Sequence, residues 1–440
     1  MPPSPRSATH ARRSSRWGVR RTAALAGLGT AAAIAASFAP VTTGVAHAAV
    51  FGAPVVVSGD NVSEPGIDVA PDGTLYINGP VGVLSNIPGS PSQVYRSSDG
   101  GATWTTLPAS LKANLPGGGD SDITIAPDGT LSETDLWLGS STVATSSDKG
   151  QTWTAQPVQG PPVQDRQWVA ATSGGRVYHV VHNLPSGLWV ARSVDSGLTY
   201  PQQVLAASVL DQTGCVCPPG NIITEDGGAG TAGLLGDKVG GVYATSDGGV
   251  GFYRSTNGGL TFTNTRPGPA SAATTNAAFP AVADNGNGAL AVVWLAVQGN
   301  TSSVWFTTSN DFGATWAAPK AIVTSGANVY PWVAFRGGKI AVSLYHSDTA
   351  GTPDTVPAGT QWFESYLEST DGGATFSALQ AADSTPIKSG PVCTAGINCT
   401  DDRQLGDFQQ VAIDGAGKAV LSYVRVLSGS DTEIRFVKEG

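Results

Sequence analysis

An eight-residue pattern, S-x-D-x-G-x-T followed by an aromatic residue, recurs six times along this chain and restricts its possible folds. The first copy reads SSDGGATW at residues 97–104. Later copies follow at intervals of about 50 residues, a spacing typical of solenoids, propellers and arrays. The acidic position of the pattern is occupied in turn by Asp99, Asp148, Asp195, Asn257, Asp311 and Asp371.

The residue types in the pattern predict a tight turn that leads into a strand. Ser and Asp side chains accept hydrogen bonds from nearby backbone N–H groups, and Gly adopts a left-handed conformation at little steric cost. The Thr then enters an extended strand, and the aromatic ring supplies apolar surface to bury. We therefore interpret the six acidic positions as structural rather than catalytic.

Short apolar strands with Gly-containing turns fill the segments between the copies. Seven such segments begin an inner strand, six of them near residues 66, 123, 168, 280, 332 and 410 and a weaker one within residues 221–235. The last segment has only three strands, and residues 50–58 form an unassigned strand-like stretch that can pair with it and close a ring. The sequence thus predicts an all-β fold, a seven-bladed propeller of four-stranded antiparallel blades, with six blades as the alternative.

The repeated pattern closely resembles the Asp-box, or bacterial neuraminidase repeat, of sialidase-type β-propellers. The resemblance covers nearly all of the chain after residue 50. It implies a propeller that acts on glycans and has a triad of arginines in its site. Before the first inner strand, where this family has an arginine, the chain reads Ser63-Glu64-Pro65-Gly66-Ile67. One arginine of the implied triad is therefore replaced, with Glu64 or Ser63 in its place.

The N-terminus has the features of a secretory signal peptide. Six arginines without any acid are followed by a weakly apolar run and by Ala46-His47-Ala48, an A-x-A cleavage site. We expect residues 1–48 to be removed, by the Sec or the twin-arginine route, and residues 49–440 to form a single secreted domain.

The charge of the chain limits its partners. The formal net charge is −9, and removal of the six N-terminal arginines makes it more negative. An acidic surface argues against nucleic acid and anionic membranes as partners. We expect a monomer that binds an extracellular glycan or glycoconjugate, and the sequence carries no motif for a cofactor or a metal.

The four cysteines of an exported chain are expected to form disulfides. A local Cys393–Cys399 bridge would leave Cys215 and Cys217 to close a very small ring. Pairing between the two loops is the alternative.

Candidate functional residues precede the predicted inner strands, in the longer loops on one face of the ring. The tripeptide Asp-Arg-Gln occurs twice, at residues 165–167 and 402–404, with Asp401 and Asp407 close to the second copy. Arginine suits bidentate recognition of an acidic group, paired carboxylates suit glycosidic chemistry, and Trp or Tyr can stack on a sugar. The catalytic candidates are Asp120, Asp122, Asp165 and Asp402, and the substrate-binding candidates are Glu64, Arg166, Trp168, Tyr330 and Arg403.

Two functions are compatible with these residues. The first is a sialidase-like glycoside hydrolase in which Arg166 and Arg403 bind an anionic sugar. The second is a non-catalytic propeller that binds extracellular polysaccharide or protein, with the Asp–Arg pairs bracing neighbouring blades. The missing first arginine favours the second function, and the doubled Asp-Arg-Gln favours the first.

Overall fold

The computed structural model describes residues 48–59, 61–81, 92–110, 119–137, 139–215, 217–228, 230–268 and 279–440. The chain divides into two units, residues 1–44 and 45–440, and only the second contains described residues. The predicted signal peptide, apart from Ala48, lies outside them. The described residues form seven antiparallel sheets, one for each blade of a β-propeller. The prediction of seven blades is confirmed over the alternative of six.

Each of the first six blades contains four consecutive strands, from the innermost to the outermost. Blade 1 consists of β2 (Gly66–Val69), β3 (Leu75–Gly79), β4 (Gln93–Ser97) and β5 (Thr105–Thr106). Blade 2 consists of β6 (Ser121–Ile125), β7 (Leu131–Trp137), β8 (Ser140–Ser146) and β9 (Thr154–Val158). Blade 3 consists of β10 (Gln164–Thr172), β11 (Arg176–Asn183), β12 (Gly187–Ser193) and β13 (Gln202–Ser208). Blade 4 consists of β14 (Pro219–Glu225), β15 (Lys238–Ala244), β16 (Val250–Ser255) and β17 (Thr263–Gly268). Blade 5 consists of β18 (Ala281–Asp284), β19 (Leu290–Gln298), β20 (Thr301–Ser309) and β21 (Lys320–Val323). Blade 6 consists of β22 (Ala327–Arg336), β23 (Lys339–Ser347), β24 (Gln361–Ser369) and β25 (Gln380–Ala381), and a further short strand, β26 (Lys388–Ser389), also pairs with β24.

The seventh blade joins the two ends of the described fold. Its strands are β27 (Gln410–Ile413), β28 (Ala419–Ser428) and β29 (Asp431–Lys438), and β1 (Val55–Ser58) supplies the outermost strand. Val55 lies opposite Phe436 in this antiparallel pair. The predicted closure of the ring by an N-terminal strand is therefore confirmed.

The repeated turns join the third and fourth strands of blades 1 to 6, as their composition predicts. In the second copy, Asp148 accepts hydrogen bonds from the backbone N–H and the hydroxyl of Thr152, at 2.9 and 2.6 Å. Ser146 Oγ accepts from the backbone N–H of Gly150 at 2.9 Å. The bond from the Thr backbone N–H recurs at the other five positions, and the bond from the Thr hydroxyl recurs at the four aspartates among them. At Asn257 the side-chain amide instead donates to the hydroxyl of Thr261. These side chains therefore hold the turns.

Polar side chains on the innermost strands link neighbouring blades around the central channel. Asp68 Oδ2 accepts from the backbone N–H of Ile125, at 2.7 Å, which joins blade 1 to blade 2. Asp122, Asn221 and Gln410 each accept in the same way from the next inner strand. The channel wall is therefore stabilised by side-chain acceptors as well as by apolar packing.

The antiparallel order gives the ring two different faces. The repeated turns and the turns between the first and second strands lie together, since Lys149 and Asp72 form an ion pair of 2.7 Å between neighbouring blades. We call this side the turn face. The opposite side, where each innermost strand begins, is the loop face.

Smaller features complete the fold. The disulfides are local, Cys215–Cys217 and Cys393–Cys399, so pairing between the two loops is not observed. A short helix, α1 (Gly230–Gly236), connects β14 to β15, and a single 3-10 turn covers Gly396–Asn398. The sequence shows no helical period here, and we did not predict α1. Within the described residues, no helix has the length and apolar character needed to cross a membrane.

Candidate functional site

Three residues at the loop face have left-handed backbone conformations just before or at the start of an inner strand. Glu64, Arg166 and Tyr330 have φ values of 47°, 41° and 51°. The strand register shifts at Arg166 and again at Tyr330. Such conformations are uncommon outside glycine, and surrounding structure must stabilise them. They place three large polar side chains at the mouth of the central channel.

Two of these side chains belong to a group of five charged residues, which we call the charged cluster. Its members come from blades 1, 2, 3 and 7 and from the loops before them. They are Glu64, Asp120, Arg166, Arg403 and Asp407.

Each arginine of the charged cluster faces Glu64 and one aspartate. Arg166 Nη1 lies 3.3 Å from Asp120 Oδ2 and 3.7 Å from Glu64 Oε2. Arg403 Nη2 lies 2.6 Å from Asp407 Oδ2 and 3.6 Å from Glu64 Oε1. Glu64 is thus the buried centre of the cluster, between two guanidinium groups.

An aromatic layer beneath the charged cluster separates it from the rest of the channel. The layer consists of Trp168, Phe279, Trp332 and Phe408, whose ring centres lie 5.1 to 6.0 Å from that of a neighbour. The guanidinium carbon of Arg166 lies 4.1 Å from the Trp168 ring centre and 4.3 Å from that of Phe408. Cation–π contacts of this kind hold a guanidinium flat and exclude water from its faces.

Hydrogen bonding is incomplete at the centre of the cluster. Among the described residues, no group forms a hydrogen bond of acceptable geometry with any nitrogen of the Arg166 guanidinium or with either carboxyl oxygen of Glu64. Both side chains are almost fully buried, with 3% and 0% of their surface exposed. Buried polar groups are normally satisfied, so these atoms are available to a ligand or to ordered water.

Burial also changes proton affinity in the cluster. Loss of solvation raises the pKa of Glu64 to about 8, assisted by the negative charges of Asp407 and Asp120 and opposed by both arginines. Burial likewise raises the pKa of Asp120, with the charge of Arg166 acting in the opposite direction. At neutral pH the carboxyl group of Glu64, at the centre of the cluster, is therefore mostly protonated.

A glycine next to Glu64 permits this close packing. Gly406 has a φ of +70°, and a Cβ atom built on it would lie 2.4 Å from Cγ of Glu64. The loop that carries Arg403 and Asp407 can therefore approach Glu64 only with glycine at this position.

The channel on the turn-face side of the aromatic layer contains a cavity of about 480 Å³. Asp68, Asp122 and Asp284 line it, and burial raises their pKa values to about 6, 7 and 7. Each of the three carboxylates accepts a hydrogen bond from a backbone N–H group, so we assign them a role in holding the inner strands in place.

The substrate-binding candidates lie close together in the fold. Glu64, Arg166 and Arg403 belong to the charged cluster, and Trp168 forms part of its aromatic floor. Tyr330 is buried beside them, and its hydroxyl donates to the carbonyl of Cys393 at 3.4 Å. Trp168 is fully buried and its face is covered by Arg166, so a sugar cannot stack on it directly.

The four catalytic candidates are more dispersed. Asp120 belongs to the charged cluster, and Asp122 lies below it in the channel wall, where it accepts from the Val169 backbone. Asp165 is exposed on the loop face, and its carboxylate accepts from the backbone N–H of Arg166. Asp402 pairs with the buried amine of Lys388 at 3.1 Å. In both Asp-Arg-Gln segments it is the arginine, and not the aspartate, that enters the cluster.

Sequence reasoning noted Asp407 only as a neighbour of the second Asp-Arg-Gln, and it did not single out Phe279 or Phe408. The spacing Arg403-x-x-x-Asp407 and the aromatic residues at the inner-strand starts were the available signals. As for metals, no three His, Cys, Asp or Glu side chains in the described part of the chain are placed to hold an ion.

Comparison with known proteins supports the fold. Neither a protein-family model nor a curated protein sequence matches the chain. A lectin from Burkholderia pseudomallei is similar in structure, with a TM-score of 0.51 and 11% identity over 86% of this chain and 98% of the lectin.

Two enzymes are similar at lower scores. An alpha-L-arabinofuranosidase of Fusarium graminearum in complex with arabinobiose has a TM-score of 0.46 and 14% identity, covering 89% of this chain and 96% of the enzyme. The NanB sialidase from Streptococcus pneumoniae has a TM-score of 0.44 and 12% identity, covering 89% and 70%. Identities this low leave function to be argued from the site itself.

Proposed function

We propose that this protein is an exported glycoside hydrolase whose active site is the charged cluster at the loop face. The observation that carries the proposal is the Arg166 guanidinium. It is buried, packs against the rings of Trp168 and Phe408, and lacks a hydrogen-bonded partner among the described residues. A rigid set of N–H donors beside several carboxyl groups is suited to binding and orienting a sugar hydroxyl.

Glu64 lies close to both aspartates of the cluster, and we propose that Asp120 and Asp407, on either side of it, are the pair that acts on the glycosidic bond. Glu64 and Asp120 oxygens lie 3.7 and 3.3 Å from the same Arg166 nitrogen, so they are no more than about 7 Å apart. Glu64 and Asp407 share an Arg403 nitrogen in the same way, at 3.6 and 2.6 Å. Hydrolytic enzymes of both stereochemical classes use carboxyl groups at separations of about 5 to 9.5 Å.

We assign the proton donor to Asp120 and the ionised carboxylate to Asp407. Both side chains reach solvent, with 15% and 18% of their surface exposed, whereas Glu64 does not. Burial raises the pKa of Asp120, which favours the acid form needed to protonate the glycosidic oxygen. Asp407, fixed by two hydrogen bonds from Arg403, then either attacks the anomeric carbon or takes a proton from attacking water.

Overall, one water is consumed: the C–O bond to the leaving group breaks, the leaving oxygen gains a proton, and the anomeric carbon gains a hydroxyl. Retention of the anomeric configuration would assign Asp407 as a nucleophile, and inversion would assign it as a base. Glu64 would act as a positioning residue that holds Arg166 and Arg403 in one plane with the aspartates.

A non-catalytic glycan-binding propeller is the second candidate. The observation that favours it is the pairing within the cluster, since each arginine already faces carboxylates and Trp168 cannot stack on a sugar. Such a cluster can act as a rigid floor for binding without chemistry, and the structural neighbours include a lectin.

Export to the extracellular space is part of the proposal. It is supported by the A-x-A site that precedes residue 49, by the two disulfides and by an acidic composition. We further propose residues 49–440 as the mature domain, acting as a monomer.

The test is a hydrolysis screen of the protein beginning at residue 49, with aryl glycosides and soluble polysaccharides. Asp120→Asn and Asp407→Asn should each lower kcat by about 100-fold or more with the fold intact. Asp402→Asn is the matched control, because its carboxylate pairs with Lys388 instead. Glycan binding without turnover in the wild-type protein would establish the second candidate, and full activity of both cluster variants would exclude the assigned site.

A further inference from the structure

The two aspartates of the charged cluster are more exposed than its two arginines. The two arginines have only 3% and 6% of their side-chain surface exposed, while Asp120 and Asp407 have 15% and 18%. Asp165 is exposed nearby and raises the pKa of Asp120 by its charge. A ligand that approaches over these residues therefore meets carboxylates first and guanidinium groups beneath them.

From this arrangement we infer that the site takes uncharged sugars and discriminates against sugars that carry a carboxylate. The inference rests on the proposed function and specifies its substrate class. It reverses the expectation, made from sequence, that Arg166 and Arg403 bind an anionic sugar.

Each arginine of the cluster already faces carboxyl groups of the protein. Arg403 donates two hydrogen bonds to Asp407, from Nη2 at 2.6 Å and from Nε at 3.3 Å. Arg166 faces both Asp120 and Glu64. A sugar carboxylate would have to displace Asp407 from Arg403 or to lie beside it, where like charges repel.

A neutral sugar satisfies the same groups without displacing any of them. Its O–H groups can donate to Asp120 and Asp407, the more exposed members of the cluster. The aromatic layer lies directly below, so water is excluded from the buried side of these contacts.

The test compares pairs of ligands that differ only at the exocyclic carbon. Aryl glucosides and glucuronides, and aryl galactosides and galacturonides, are assayed for hydrolysis, and the corresponding free sugars and oligosaccharides are assayed for binding by calorimetry. A sialoside serves as a further anionic probe. We expect the neutral member of any recognised pair to be preferred by at least ~100-fold in kcat/KM or Kd.

The variants Asp407→Asn and Asp407→Ala test the origin of the discrimination. Either change frees Arg403, so the ratio of neutral to acidic affinity should fall at least tenfold, measured by binding even where turnover is lost. Asp402→Asn should leave the ratio unchanged. Preference for a uronide or sialoside by the wild-type protein, or an unchanged ratio in the Asp407 variants, would overturn the inference.

The outcomes separate the inference from the proposed function. Neutral glycans bound without turnover would support the inference and reject the hydrolase. Turnover of anionic glycosides alone would support the hydrolase and reject the inference. Absence of both binding and turnover across the panel would reject the two together.

Discussion

The guanidinium of Arg166 lies over the indole of Trp168, two residues further along the same strand, at 4.1 Å from the ring centre. Phe408 from blade 7 contacts the same guanidinium at 4.3 Å. The left-handed backbone at Arg166, with a φ of 41°, turns the side chain onto these rings instead of along the sheet. Its conformational entropy is therefore lost on folding rather than on ligand binding, which is the arrangement expected of a preorganised donor.

Replacement of each arginine by methionine separates a binding role from a bracing role. The Arg166 guanidinium forms no hydrogen bond with a described group, and methionine can pack against Trp168 and Phe408. We expect Arg166→Met to change the free energy of unfolding by no more than about 1 kcal/mol while glycan binding or turnover is lost. Arg403→Met, which leaves Asp407 without its two hydrogen bonds, should destabilise by about 3 kcal/mol.

Urea unfolding at pH 7 measures both free energies, and the activity or binding assay gives the functional loss. Equal and large destabilisation by the two substitutions would mean that Arg166 braces the blades, and the proposed site would lose its central residue.

The fold was predictable because its information is local and repeated. Each S-x-D-x-G-x-T turn forms its hydrogen bonds within a few residues. Each copy therefore marks the turn between the third and fourth strands of one blade, and six copies indicate six blades. The count of inner-strand starts gave the seventh blade and its closing strand.

The site was predictable only in part, because its geometry depends on contacts between distant blades. The doubled Asp-Arg-Gln identified Arg166 and Arg403, which meet in space. It could not show that the strand register shifts at Arg166, which leaves Asp165 exposed while the arginine turns inward. Glu64 was identified by its position, but its place between two arginines depends on Gly406, more than three hundred residues away in the chain.

The aspartate Asp122 should make stability depend on pH. Burial raises the pKa of this aspartate to about 7, from an ordinary 3.8. Between these values the unfolded chain releases a proton that the folded chain retains, so stability falls as pH rises, and the contribution is lost above pH 7. The slope from one such group approaches ~1.4 kcal/mol per pH unit.

Asp122→Asn should remove this slope, because the amide oxygen can still accept from the Val169 backbone. The chain provides a precedent in Asn221, which accepts from and donates to the backbone of Val282 in blade 5. Unfolding free energies measured from pH 4 to 8 should show that the stability of Asp122→Asn, relative to the wild type, increases with pH up to about pH 7. The stability of Asn221→Asp, relative to the wild type, should decrease as pH rises over the same range. If the stability of Asp122→Asn and that of the wild type depended on pH in the same way, the raised pKa assigned to Asp122 would be contradicted.

Two adjacent glycines in the first repeated turn should respond differently to alanine. A Cβ at Gly101 would lie 2.0 Å from Cε1 of Phe436, which packs against Trp104. At Gly100 the nearest atom is Lys438 Nζ, at 3.7 Å. Both glycines have a positive φ, which is 95° at Gly101 and 73° at Gly100. Gly100→Ala should therefore cost ~1 kcal/mol from backbone strain, and Gly101→Ala ~3 kcal/mol or more from strain and steric overlap together. Thermal unfolding of the two variants measures the difference, and similar midpoints would show that the turn tolerates displacement of the ring.

Removal of residues 49–58 should leave the ring open at blade 7. Strand β1 pairs with β29, and residues before it add further contacts: Gly52 N–H donates to the Lys438 carbonyl, and Phe51 packs on Tyr366 at 5.0 Å. Without these residues, β29 becomes an edge strand with unpaired backbone groups, which favours association with other chains. We expect a protein beginning at residue 59 to lose at least ~3 kcal/mol of stability and to form dimers or larger species.

A synthetic peptide of residues 49–58 tests whether the loss comes from the missing strand. Because strand addition depends on backbone hydrogen bonds and on the alternating side chains, the peptide should bind the shortened protein and restore its unfolding midpoint and monomeric state. The same peptide with its sequence scrambled should do neither, and light scattering with thermal unfolding follows both properties. A shortened protein as stable and monomeric as the full domain would show that six blades and three strands suffice, and β1 would then be an accessory strand instead of the closure of the ring.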